Sequence, residues 1–325
     1  MIIIIKIIQT LLKSKDPIIR LKARQLLNKP ISKTDLVKYQ TGIVNSSKVK
    51  QLISQRHKYG TISCHPYKKW IGAHWVLAVL SDLGYPQGDD SLMPLFEQEY
   101  NWLLSEDHIK KSLKVINGRV RRCASQESYA VYSALKLGLN DERTEELVRR
   151  LIAWQWEDGG WNCDKTPSAK KSSFMESIIP LRALVLHYQI TGNKRSKQAA
   201  QNASEIFLKR YLYKRQSNGE VMNGNFTKLH YPLYWHYDIL HGLKVMAEAG
   251  FISDKRCKPA LDLLLSKQLS GGGFPAEAKY YQLRDSNITV YSKVDFGPTG
   301  KRKMNEYVTC DALYVLSKAG LVKFD

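Results

Sequence analysis

Asp238, His241, Asp311, His74, Glu176 and Tyr307 are the residues of this chain whose types and positions could move protons. A carboxylate or imidazole placed one turn inside an apolar helix is costly unless it is paired, solvated or used, so each is read as a candidate acid or base. Helical spacing puts Tyr234, Tyr237, Asp238 and His241 on one face, Tyr307, Cys310, Asp311 and Tyr314 on another, and Trp70 with His74 on a third. Gln126, Tyr129, Tyr132 and Ser133 share a fourth face, and Glu176 opens a fifth stretch. The aromatic groups Trp70, Trp235, His236, Tyr129, Tyr234 and Tyr237 would form a ligand-binding wall able to hold an apolar body or a developing cation. Arg121, Arg122, Lys301, Arg302 and Lys303 would bind an anionic head, a diphosphate or a carboxylate.

No metal site and no cofactor are expected. Cys64-His65, Cys163-Asp164 and Cys310-Asp311 are adjacent pairs, whose side chains diverge along an extended chain, so each offers one ligand at most. Five cysteines at wide spacing, with no Cys-x-x-Cys, read as reduced thiols of a cytoplasmic protein and exclude a disulfide framework. Gly297-Pro298-Thr299-Gly300-Lys301-Arg302 imitates a phosphate loop but lacks its first glycine and its hydroxyl residue.

The charge is strongly one-sided. Fifty Lys and Arg against 30 Asp and Glu give a net +20. Five inter-helix loops, 56–69, 108–122, 162–172, 209–228 and 270–305, carry between +15 and +19 of it, depending on where their edges are drawn. A basic rim on a near-neutral body draws anions, and nucleic acid or a membrane surface would also answer to it. The opening run Met1-Ile2-Ile3-Ile4-Ile5-Lys6-Ile7-Ile8 is read as a terminal helix on the core. It lacks the cleavage site of a signal peptide and the length of a transmembrane segment, though peripheral membrane contact is compatible with it.

The elements that must position these groups repeat. Five apolar stretches close on glycine: Trp70–Gly84, Ser125–Gly138, Phe174–Gly192, Trp235–Gly250 and Glu306–Gly320, with the glycines 54, 54, 58 and 70 residues apart. A more polar helix precedes each, over 46–53, 92–104, 141–154, 194–211 and 254–267, several opened by a capping Ser or Asp. Outer helix, long loop, buried inner helix and Gly turn, repeated five or six times, predict an all-α fold, an α/α toroid over residues 1–325 in which segment 1–44 completes or caps the ring. Asn117-Gly118 predicts a hairpin turn within 111–122.

Gln155-Trp156-Glu157-Asp158-Gly159-Gly160-Trp161 and Gln268-Leu269-Ser270-Gly271-Gly272-Gly273-Phe274 share Gln, a Gly pair and an aromatic. Physically this is stitching between repeats: Gln bonds helix-end backbone, the glycines reverse the chain, and the aromatic fills the gap. The combination resembles the prenyltransferase and squalene-oxidase repeat of terpenoid cyclases and protein prenyltransferases over roughly 45–325. That resemblance implies a toroid with an aromatic-lined central cavity and isoprenoid chemistry. The cyclase Asp-x-Asp-Asp is absent, and the prenyltransferase zinc set fails where Val308 stands in place of His and Glu176 in place of Asp-x-Cys.

Three functions follow as expectations. The first is a prenyltransferase-like or cyclase-like protein holding an anionic, isoprenoid-type ligand. The second is a basic scaffold for nucleic acid or an acidic protein. The third is a lyase acting on an acidic glycan, in which cations neutralise a uronate and Tyr or His moves protons.

Overall fold

The computed structural model describes residues 2–283 and 290–324, with side chains from Lys6 onward; Arg284 and Asp285 of the last charged loop lie outside the described residues. The chain is mostly helical. Its helices are α1 (Ile2–Leu12), α2 (Pro17–Leu26), α3 (Lys33–Val44), α4 (Ser47–Ile53), α5 (Ala73–Leu83), α6 (Met93–Leu103), α7 (Glu106–Ser112), α8 (Ala124–Leu137), α9 (Glu142–Trp154), α10 (Phe174–Thr191), α11 (Lys194–Leu208), α12 (Ile239–Glu248), α13 (Lys258–Leu265) and α14 (Glu306–Lys318). The one hairpin among the described residues pairs β1 (Lys114–Ile116) with β2 (Arg119–Arg121). Its turn is Asn117-Gly118, both at positive φ, as the Asn-Gly pair predicts.

The five apolar stretches become α5, α8, α10, α12 and α14. Their closing glycines, 84, 138, 192, 250 and 320, all take the left-handed conformation with φ between 66° and 82°. Two helices start later than spacing predicts. Asp238 caps α12 by accepting from the His241 N–H, so Tyr234–Asp238 is a turn and not a helical face. Helix α5 begins after Gly72, which the carbonyl of Pro66 approaches too closely for any Cβ. The expected alignments of Tyr234 with His241 and of Trp70 with His74 therefore do not form.

Each of these inner helices through α12 packs on the outer helix that follows it: α5 on α6, α8 on α9, α10 on α11, α12 on α13. The inner helices also touch in sequence, α5 to α8, α8 to α10, α10 to α12 and α12 to α14. Helix α14 then packs on α2. Tyr307 donates to Asp16 Oδ2 at 2.6 Å, Ser14 donates to Glu306 at 2.9 Å, and Lys48 pairs with Asp16 at 2.9 Å, so the first and last segments are tied together. Ile7, Ile8 and Leu11 of α1 are buried in the core, as a terminal helix packed on the body requires. No helix among the described residues is long and apolar enough to cross a membrane.

Two devices hold neighbouring repeats in register. Gln155 Nε2 donates to the carbonyls of Gly159 and Ala199, both at 2.8 Å, and Gln268 Nε2 donates to Gly272 at 3.0 Å. Trp161 and Phe274 are buried behind these turns. An Asp-x-Arg pair supplies the second device. Arg143 forks onto Glu97 of α6 at 2.7 and 2.8 Å while Asp141 caps α9; Arg256 forks onto Glu205 of α11 at 2.8 and 2.9 Å while Asp254 caps the turn before α13.

The Gly pair is a steric requirement. A Cβ on Gly160 would overlap the Ile206 and Ser177 side chains. Gly160→Ala is expected to cost about 1–3 kcal/mol of overpacking, and Gln155→Ala about 1–3 kcal/mol through two orphaned carbonyls. Urea titration of each variant reads this, and an unshifted midpoint for both would refute the stitching role.

Candidate functional site

Charges stand in the middle or second half of five helices: Lys22 on α2, Asp82 on α5, Arg182 on α10, Lys244 and Glu248 on α12, Asp311 on α14. These side chains converge. Arg182 makes a bidentate pair with Glu248 at 2.7 and 2.8 Å and reaches Asp82 at 3.4 Å. Lys244 bridges Asp311 at 2.9 Å and Asp82 at 3.5 Å, and Lys22 lies 3.7 Å from Asp311. Helix α8 contributes Tyr132, whose ring lies 4.3 Å from the Arg182 guanidinium. Tyr231 donates to the second Asp82 oxygen at 3.2 Å.

This belt divides two cavities. Asp82, Tyr132, Arg182, Lys244 and Asp311 face both. On the side of the helix N-termini lies a chamber of about 50 Å³, walled by Tyr129, Tyr231, Tyr234 and His241. On the other side lies a cavity of about 390 Å³, lined by the C-terminal halves of all six helices and rimmed by the exposed Lys136 and Lys318.

Charge in the belt is strongly coupled. Burial works against ionisation of Asp82, but Lys244, Lys22 and Arg182 together hold its carboxyl well below the usual carboxylate range. Desolvation likewise works against ionisation of the partly buried Glu248, and Arg182 holds it below the usual range. His241 is pushed down to about 4, by burial first and by the Arg182 cation next. Its imidazole is therefore neutral at neutral pH, and its Nε2 has no hydrogen-bond partner among the described residues. A buried, neutral imidazole with an open nitrogen in a chamber bordered by cations can accept a hydrogen bond from a bound molecule.

The end beneath the basic loops is filled. Trp70 stacks on Tyr234 at 4.0 Å, and Trp235, His236, Tyr280 and His230 form a continuous stack with centroid spacings of 3.9, 3.5 and 4.4 Å. Tyr129 donates to the Tyr234 carbonyl, and Trp70 Nε1 donates to the Tyr280 carbonyl at 3.0 Å. The aromatic groups expected to wall an open pocket on that side instead close it. His236, within the stack, is pushed down to about 4 by burial, and donates to or accepts from no belt residue.

The structure separates the residues that spacing had grouped. Tyr129, Tyr234, His241 and Asp311 reach the small chamber. Asp238 does not: it is fully buried and spent on the backbone N–H groups of His230 and His241 and on the His230 ring. His74 is fully buried in a 2.6 Å pair with Glu99, between α5 and α6. Tyr307 serves the Asp16 contact, and Tyr237 donates to the Leu212 carbonyl at 2.7 Å within a Phe174, Phe207 and Phe226 cluster. Arg121 is buried, donating to the Ala169 carbonyl at 2.8 Å and lying over Trp156, and Arg122 is buried on Glu127 and His108, so neither presents a free cation to a ligand. Lys301, Arg302 and Lys303 are exposed on a loop away from both cavities.

The residues missed by spacing are Lys22, Asp82, Arg182, Lys244 and Glu248. Asp82 alone stands out in the sequence, as the single Asp, Glu, Lys or Arg of α5; Lys22 lies between Arg20 and Arg24 on α2, Lys244 and Glu248 share α12, and Arg182 shares α10 with Glu176. Glu176 lies elsewhere, with Cys123 and Cys163, their ligand atoms within 4.8 Å of one another. Of the adjacent pairs weighed in the sequence, Cys163-Asp164 contributes only its cysteine to this set. The structure gathers single donors from three separate segments into a set that could hold a metal.

Two outcomes follow from the belt. Arg182→Ala leaves Glu248 and Asp82 without their main cation and is expected to lower stability by about 3–5 kcal/mol, measured by denaturant unfolding; a loss under about 1 kcal/mol would refute the coupling. An unfolded imidazole titrates near 6.5, so between about pH 6.5 and 4 the unfolded chain holds a proton that folded His241 refuses. Stability therefore falls as pH drops through that window. His241→Gln should flatten the slope by up to about 1.4 kcal/mol per pH unit, read from melting at stepped pH.

Compared with known proteins, the chain matches no family model, no curated protein and no solved structure.

Proposed function

We propose that the chain is an α/α toroid, with α2, α5, α8, α10, α12 and α14 as its inner ring, that binds a small phosphate- or carboxylate-bearing molecule in the central cavity, with neutral His241 as a hydrogen-bonding partner. The observation that carries this reading is the lining of the 390 Å³ cavity by all six of those helices around one ion network. Within the belt, three cations, Lys22, Arg182 and Lys244, balance three carboxylates, Asp82, Glu248 and Asp311. The surplus is at the rim. Lys136 is held below the ordinary lysine value, by desolvation at the cavity mouth and then by repulsion from Arg182, and its ammonium makes no side-chain pair among the described residues. An anionic group bound between Lys136 and Lys318 would relieve that strain, leaving the ligand's polar body to meet Arg182, Lys244 and, across the belt, His241.

The geometry shapes the ligand class. A volume of about 50 Å³ holds one or two waters, not a prenyl chain. The isoprenoid reading suggested by the repeat therefore needs the Tyr231–Tyr234 turn to move, whereas a compact anion in the larger cavity does not. The four tyrosines of the small chamber still favour a ligand with a cationic or apolar end on that side.

Thermal melting and native mass spectrometry with inorganic pyrophosphate, citrate and farnesyl diphosphate test the reading. At least one should bind with one-to-one stoichiometry and raise the melting midpoint, and the Lys136→Ala/Lys318→Ala double variant should bind it at least about tenfold more weakly. Farnesyl diphosphate binding much more tightly than pyrophosphate would favour the isoprenoid form. No binding by any of the three, or equal binding by the double variant, sinks the proposal.

A further inference from the structure

Cys123, Cys163 and Glu176 occupy a second polar centre that belongs to neither central cavity. Three independent constraints bring them together. Cys123 is the residue before α8. The β2 strand forms a parallel bridge from Arg121 to Asn162, and the Arg122 N–H donates to the Asn162 carbonyl at 3.2 Å, which lays the segment carrying Cys163 beside the one carrying Cys123. The same segment is fastened to the start of α10: Ser173 N–H donates to the Trp161 carbonyl at 2.9 Å, and Trp161 N–H donates to Ser177 Oγ at 3.1 Å. Glu176 projects from that first turn of α10.

We propose that this centre is a divalent transition-metal site, with zinc as its natural occupant, held by the Cys123 and Cys163 thiolates and the Glu176 carboxylate with one position open to water or a further ligand. The spacing fits the ion. Tetrahedral zinc with bonds of about 2.3 Å to sulfur and 2.0–2.2 Å to oxygen places its ligand atoms about 3.5–3.8 Å apart. Cys163 Sγ stands 3.7 Å from Glu176 Oε1, and all three donor atoms lie within 4.8 Å of one another. The carboxylate is aimed. Glu176 Oε2 accepts the Ser125 N–H at 3.0 Å, which leaves Oε1 turned to the sulfurs and supplies the outer-shell bond that metal-ligating carboxylates ordinarily carry.

Glu176 is buried and the two thiols beside it are partly buried, so a divalent cation would meet a desolvated donor set. Each thiol gives its proton to solvent on binding, so affinity falls as pH falls. Two thiolates select zinc or cobalt over magnesium or calcium, which prefer oxygen alone. Cys123 and Cys163 are only partly buried, so an ion can enter. Beside the cluster stands Tyr67, bonded to Gln126 and sensing the charges of Glu176, Cys123 and Cys163; the Gln126 Oε1 is a buried acceptor without a partner among the described residues.

The test uses the full chain, purified reduced and freed of metal, titrated with Zn²⁺ and with Co²⁺. One equivalent of each should bind, with proton release, and the cobalt form should show thiolate-to-metal charge transfer and the visible bands of a tetrahedral centre. Cys123→Ser and Cys163→Ser should each lose more than the roughly 10–100-fold in affinity that outer-shell changes cost. Glu176→Gln should weaken binding while keeping the charge-transfer band, and Cys64→Ser should change nothing. Far-UV circular dichroism guards against misfolded variants, with Glu176→Gln as the variant least disturbing to the thiols. Absence of stoichiometric metal, unchanged affinity in the cysteine variants, or a Cys123–Cys163 disulfide in natively purified protein would overturn the assignment.

Discussion

Six helices of this protein depend on one arrangement of ions. Arg182, buried between Glu248 and Asp82, is the centre of it, and Lys244, Asp311 and Lys22 extend it to the helices on either side. Taking such charges out of water costs several kcal/mol per ion, so the network is a poor source of net stability. Its value is in specificity. Each charge has a partner on another helix, so a slip of one helix along its neighbour would leave ions unpaired in the interior. The apolar contacts of α5, α8, α10, α12 and α14 tolerate small shifts; the belt does not.

The outer layer solves the same register problem with less costly parts. The Gln155 amide ties one repeat to the next through two backbone carbonyls, and the Asp-x-Arg pairs at 141–143 and 254–256 tie an outer helix to the start of the following unit. Gly159 and Gly160 are there because the Asn202 carbonyl and the Ile206 and Ser177 side chains lie where a Cβ would be. The N-terminal segment closes on α14 through Asp16, Tyr307 and Glu306, so both chain ends take part in the packing that positions the cavity.

The two ends of the cavity differ in kind. Toward the basic loops, stacked rings fill the space, Arg122 is spent on Glu127, and Arg121 is fully buried with one bond to the Ala169 carbonyl, its Nε and Nη1 unpaired among the described residues. Toward the helix C-termini the cavity stays open and polar, with lysines at its rim. Net charge and access are thus on opposite sides, and a ligand drawn by the loops would not by that route reach the belt. The thiol–carboxylate centre at Cys163 is a third location, built by loop segments held on the N-termini of α8 and α10.

Much of the architecture was legible in the residues because its causes are local. Glycine after an apolar stretch marks a left-handed helix end, Asp141 and Asp254 mark helix starts, and Asn117-Gly118 marks a hairpin; each works within a few residues of chain. What spacing could not reveal depends on which side chains meet across the molecule. Asp238 and His74 carry the chemistry of acid and base, but a backbone cap and a buried glutamate use them up. Arg182, Glu248 and Asp82 are far apart in sequence and become one site because their side chains reach one another from three helices. Cys123, Cys163 and Glu176, 40 and 13 residues apart in turn, are joined by a single parallel bridge and two loop hydrogen bonds. Local propensity set the elements and their ends; partner identity, and with it the position of every candidate site, was decided by tertiary packing, because desolvation makes a buried polar group's role depend on what lies opposite it.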